Sequence, residues 1–130
     1  MLSRFLQLSV VPEQFAVIRL DPTTALPAWA STGALVSITR TEDELSIVCP
    51  ASSVPAGVPC KSRYSCLKVR GPLDFAETGV LASMASPLAE AGISLFALST
   101  YETDYILVAQ KELEHALAVL TRFGHEIVET

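Results

Sequence analysis

No run of apolar residues in this chain approaches the ~18 that a membrane helix needs. Nor does any cluster of lysine and arginine stand out. Nine Lys plus Arg stand against 14 Asp plus Glu, a net charge of -5, so the electrostatic footprint of a nucleic-acid binder is missing. The apolar start, Phe5 to Val11, is short, broken by Gln7 and Ser9, and followed by Pro12 and Glu13. It has neither the h-region nor the small-residue cleavage site of a signal peptide. A soluble cytoplasmic protein is expected, with no nucleic-acid and no membrane partner. Cysteine is scarce too. Cys49, Cys60 and Cys66 are odd in number and widely spaced, and His115 and His125 lie remote from them. These spacings match neither a disulfide framework nor a zinc site. A nucleophile–base pairing and a Gly-rich phosphate loop are also missing, so neither catalysis nor a cofactor is expected.

What the chain does have is apolar patterning. Half of its 130 residues are hydrophobic and 18% are charged, the profile of a globular chain with a substantial core. Its length suits one ordinary domain or two very small ones. Two such halves would each be marginal alone, because small domains bury too little surface.

Residues 92–109, G-I-S-L-F-A-L-S-T-Y-E-T-D-Y-I-L-V-A, carry the strongest signal. They predict two strands, 93–100 and 104–109, joined by the turn Tyr101-Glu102-Thr103. Ile93, Leu95 and Ala97 oppose Phe96 and Leu98. Tyr105, Leu107 and Ala109 oppose Ile106 and Val108. A strand pair apolar on both faces is expected to be covered on both sides. Its polar residues gather at the tip, a plausible seat for a small polar ligand or simply a solvated turn.

Before this hairpin the sequence predicts a strand at 64–70, closed by Gly71-Pro72, and a helix over 75–91. Asp74 and Glu77 have capping-box spacing. Val80, Leu81, Met84 and Leu88 mark the buried face, and Gly92 suits the position just past the helix. Pro87 removes a hydrogen bond to the Ser83 carbonyl, so a bend is expected there. After the hairpin, Leu113, Ala116, Leu117, Leu120 and Phe123 stripe a helix over 111–123, ended by Gly124. A last strand follows at 125–128. The order βαββαβ gives an α+β, ferredoxin-like sheet of four antiparallel strands with both helices on one face.

The first half reads as strands 4–11, 15–20, 34–40 and 44–49. A short helix lies within 24–31, and a proline-rich loop covers 50–59. It looks like a degenerate copy of the same unit without its own final strand, and strand 4–11 is expected to fill that place.

The string S-T-Y-E-T-D-Y-I-L-V, preceded by G-P-L-D-F-A-E-T-G-V-L, resembles the ACT-domain proteins of the small bacterial type related to the CASTOR arginine sensors. S-I-T-R-T-E-D-E-L-S-I-V-C looks like the companion signature in the first half. The resemblance implies two ACT-like subdomains, 1–63 and 64–130, which bind a small effector, typically an amino acid, at an interface between such units. Carried over by motif, the ligand-binding positions are Asp74, Phe75, Glu77, Thr78, Gly79 and Leu81 at the helix start. Thr100, Tyr101, Thr103 and Asp104 come from the hairpin. Ser94 and Leu95 match a backbone-contacting position supplied by an opposing unit. Asp74 stands where the arginine sensor has a glycine, and Thr103 where it has an aromatic residue, so arginine itself is not carried over. A regulatory, non-catalytic amino-acid binder forming a homodimer is the leading expectation. A dimeric interaction scaffold that binds no ligand is the alternative.

Overall fold

The computed structural model describes residues 5–60, 62–71 and 78–129. Strands run in the order β1 (Gln7–Val10), β2 (Phe15–Leu20), β3 (Ser37–Arg40), β4 (Leu45–Pro50), β5 (Tyr64–Val69), β6 (Phe96–Ser99), β7 (Asp104–Ala109) and β8 (Glu126–Ile127). The helices are α1 (Val80–Glu90) and α2 (Leu113–Phe123). Two compact units result: Pro12–Tyr64, and Met1–Val11 together with Ser65–Thr130.

In the unit Pro12–Tyr64, β4 lies between β2 and β3 and runs antiparallel to both. Alternation along the strands puts Ala16 and Ile18 of β2 on one face with Leu45, Ile47 and Cys49 of β4. There they pack with Ala30, Trp29, Val54 and Val58. Between β3 and β4 the Thr41 hydroxyl accepts the amides of Asp43 and Glu44 at 3.1 and 3.2 Å, which closes the turn. The helix expected within 24–31 is a single 3-10 turn, Ala28–Ala30, with Pro27 as its N-cap. Pro22 and Pro27 explain the difference, since each forces the residue before it out of helical conformation.

The other unit holds the ferredoxin-like arrangement with one strand added. Here β6 pairs β7, β7 pairs β5, β5 pairs β1, and β1 pairs β8. Among the described residues the N-terminal strand therefore pairs with strands of the second half and with none of the first, which corrects the placement expected from strand counting. Antiparallel to β5 (Leu8↔Val69, Ser9↔Lys68, Val10↔Leu67) and parallel to β8 (Gln7↔Glu126, Leu8↔Ile127), β1 is interposed between them. Direction is preserved, because β8 still runs opposite to β5. Leu6 and Leu8 are buried in the core beside Leu67, Val69, Ile106 and Val108 from the sheet. Val80, Met84 and Leu88 of α1 and Ala116, Val119 and Leu120 of α2 complete that core, so both helices cover one face. Burying each leucine is worth roughly 1.5–3 kcal/mol, and this holds β1 where it is.

Helix α1 begins later than its pattern suggests. Gly79, at φ 82°, is its N-cap and makes no side-chain capping bond. The expected capping box, Asp74 and Glu77, lies outside the described residues. At the other end Gly92, at φ 77°, allows a complete Schellman closure. Its N–H donates to the Ala89 carbonyl at 3.0 Å, and the Ile93 N–H donates to Leu88 at 2.9 Å.

The hairpin is covered on both faces only along β7, where Ile106, Leu107 and Val108 are all buried. In β6 the pattern is different: Phe96 is 37% exposed, and Ala97 and Ser99 are exposed as well. The expectation of a fully covered pair fails for β6 because, among the described residues, this strand is a sheet edge paired with β7 alone. Among the described residues no helix is long and apolar enough to cross a membrane.

Candidate functional site

The hairpin tip is tied by its own hydroxyls. Ser99 Oγ donates to Asp104 Oδ1 at 2.6 Å across the first pair of the ladder. Thr100 donates through its N–H and its hydroxyl to the Thr103 carbonyl at 2.9 and 3.1 Å. Thr103 is 4% exposed, and its hydroxyl donates to the Val69 carbonyl at 2.6 Å. That last bond fixes the tip against the end of β5, where the chain leaves for α1. Tyr101, 80% exposed, projects from the tip.

Of the sequence-predicted positions, Asp74, Phe75 and Glu77 lie outside the described residues. Exposed Thr78 and the left-handed Gly79 lead into α1, and Leu81 is half-buried against the core. Thr100, Tyr101, Thr103 and Asp104 are together at the tip. Ser94 and Leu95 are not with them. They precede β6, while the tip follows it, and six residues of extended chain span roughly 20 Å. Within one chain, then, the expected set divides into a tip cluster and a remote pair.

Cys66, His125 and His115 are engaged elsewhere. Burial pushes the Cys66 thiol up to about 12, far from the thiolate a nucleophile needs. His125 is 2% exposed, accepts the Leu6 N–H on Nδ1 at 3.0 Å and donates from Nε2 to the Ser83 carbonyl at 2.8 Å. Exposed His115 faces Glu112 at 3.7 Å on one turn of chain. Sequence reasoning missed the role of His125, although the carbonyl that Pro87 frees was a readable signal that some donor had to arrive.

A family model described as an ACT domain matches residues 60–122. A second model, for an N-terminal domain, matches residues 13–57. The solved structure of Atu0741 from Agrobacterium tumefaciens is 39% identical, with a TM-score of 0.91 over 98% of this chain and 96% of that one. The cytosolic arginine sensor for mTORC1 subunit 1 of Homo sapiens is 41% identical over 51 residues. That match covers 39% of this chain and 16% of the sensor, so the chain spans only a small part of that relative. The alpha and beta subunits of an aspartokinase share the fold, at 17% identity and a TM-score of 0.58 over 92% of this chain and 98% of that one. With a ferredoxin-like sheet and both helices on one face, residues 60–122 are an ACT domain, and the whole chain is in one group with the Agrobacterium protein.

Proposed function

We propose that this chain is a cytoplasmic regulatory module that binds a small effector, an amino acid, and catalyses nothing. One observation carries the reading: the ACT match spans 60–122 and so takes in both the start of α1 and the hydroxyl-braced tip. The proposed site uses Asp74, Phe75, Glu77, Thr78, Gly79 and Leu81 on the helix side and Thr100, Tyr101, Thr103 and Asp104 on the hairpin side. Ser94 and Leu95 complete it from a second copy, which agrees with their distance from the tip in one chain. In this proposal residues 1–63 and 64–130 derive from two ACT-like subdomains, with β1 of the first built into the sheet of the second.

The chemistry suits a zwitterion. Free amides at a helix start favour a carboxylate, and Glu77 and Asp104 offer acceptors to an ammonium. The relative named an arginine sensor makes a basic amino acid the first to try. A thermal-shift screen of the twenty amino acids is the direct test. A true effector at a hundred times its Kd stabilises by about 2.7 kcal/mol. Asp104→Asn keeps an oxygen for Ser99 but loses the charge, so affinity for the effector should fall roughly ten- to a hundredfold with little loss of stability. Glu77→Gln should act similarly. If both variants bind as tightly as the parent, the site is misplaced.

The exposed edge of β6 favours a second reading, a dimeric scaffold without ligand. A chain of that kind would dimerise yet gain no stability from any amino acid.

A further inference from the structure

On the sheet face turned away from the helices, β1, β5 and the chain after β8 enclose a cleft of about 290 Å³ lined by Ser9, Lys68, Arg70, Gly71, Val128 and Glu129. Strand alternation places it there. Leu8, Leu67 and Val69 point into the core under the helices, so Ser9, Lys68 and Arg70 point the other way. Ser9 and Lys68 are directly opposite in the β1–β5 ladder, which puts their Cβ atoms about 4.5–5.5 Å apart. Two residues along the same face comes Arg70.

Three features of this cleft call for a ligand. First, Ser9 is 8% exposed, yet its hydroxyl has no hydrogen-bond partner among the described residues. A buried hydroxyl left unpaired is costly, and each such group needs an explanation. Second, the Lys68 ammonium is likewise without a hydrogen bond or ion pair among the described residues. Third, Arg70 is held in place: Nη1 donates to Gln7 Oε1 at 3.1 Å, and Gln7 Nε2 donates in turn to Glu126 Oε1 at 3.1 Å. Its remaining guanidinium N–H groups have no partner among the described residues. Two cations and a hydroxyl donor on one wall are unusual in a chain of net charge -5.

We propose that this cleft binds a small phosphate-bearing anion, with Lys68 and Arg70 supplying charge and Ser9 a hydroxyl donor from the floor. A phosphate group offers enough oxygens and enough charge for three donors of which two are cationic. A single carboxylate has only two oxygens to offer the three donors. The volume exceeds that of the phosphate alone and leaves room beside Val128 for a short organic body. Glu129 also lines the cleft, and its charge opposes the anion.

Inorganic phosphate and glycerol 3-phosphate are the probes, titrated into the full chain at constant ionic strength and followed by calorimetry and amide chemical shifts. Saturable binding should perturb Ser9, Lys68 and Arg70 and weaken as sodium chloride rises. Tighter binding of glycerol 3-phosphate would identify an organic phosphate as the occupant; equal binding would identify free phosphate. Lys68→Gln and Arg70→Gln should each cost roughly ten- to a hundredfold in affinity, while Glu129→Gln should strengthen binding. Ser9→Ala separates a ligand role from a structural one. It should weaken phosphate binding severalfold without lowering the melting temperature of the free protein, because it deletes a buried unpaired group. No saturation below roughly 10 mM with either probe, shifts that map elsewhere, or binding unchanged in both cation variants would overturn the proposal. Binding of acetate at these amides without phosphate would overturn the assignment of the anion.

Discussion

Pro87 and His125, far apart in sequence, form a compensating pair in the second unit. Proline at 87 has no N–H for the Ser83 carbonyl, and that carbonyl instead accepts Nε2–H of His125 at 2.8 Å. Because the Leu6 N–H donates to Nδ1, the ring is the Nε2–H tautomer, tying α1, the entry to β1 and the end of α2 together. His125→Phe fills similar space but leaves a buried donor and a buried acceptor unpaired, each costing about 1–3 kcal/mol; urea denaturation should show the loss. The thiols give a second expectation at this scale. Burial raises Cys66 from 9.0 to about 12, and burial with the nearby Cys60 thiolate raises Cys49. A raised folded value means that stability is intact below pH 9 and is lost as pH climbs from 9 towards 12, by up to about 1.4 kcal/mol per pH unit for one group. Cys66→Ala should flatten that alkaline slope in urea titrations at pH 8 and 10. In the native protein only exposed Cys60 should react quickly with a thiol reagent.

Among the elements, those written in local periodicity were readable and those set by tertiary pairing were not. The stripe Leu113, Ala116, Leu117 and Leu120 and the stop at Gly124 defined α2 to within two residues of its start. The continuous apolar run after the 101–103 turn locates β7 in full. Alternation also says that Leu6 and Leu8 share a face, but not that the strands beside them are β5 and β8. The start of α1 was misplaced because Asp74 and Glu77 offered capping spacing, whereas Gly79 is the N-cap. Of the candidate site, the tip was legible as a polar cluster; that Thr103 is buried and bonded to Val69 was not, since its partner lies 34 residues away. The corrected β1 makes a prediction. Leu8→Ala should destabilise by about 2–5 kcal/mol, and hydrogen exchange should accelerate first at Leu67 and Val69 rather than at Ile47 in β4. Accelerated exchange confined to β4 would contradict the pairing.

For the whole molecule, the unsettled surface is the outer edge of β6. An open edge with apolar side chains is a template for another strand, and natural proteins normally blunt such edges with charge, proline or a bulge. Within β6, Phe96-Ala97-Leu98-Ser99 has none of these charges or prolines, and Phe96 is 37% exposed. The proposed homodimer therefore joins two copies along β6. The same contact would bring Ser94 and Leu95 of one copy within reach of a site on the other, which a single chain does not achieve. Ala97→Lys tests this with the core untouched, because Ala97 is exposed and a lysine on an edge strand disfavours pairing with a second edge. Sedimentation velocity should find the parent dimeric and Ala97→Lys monomeric, with the monomer's circular dichroism unchanged. In the proposed site the variant should also lose part of the melting shift produced by an amino-acid effector, since Ser94 and Leu95 of the second copy have gone. A parent that sediments as a monomer at tens of micromolar, or a variant that stays dimeric, would remove β6 as the interface.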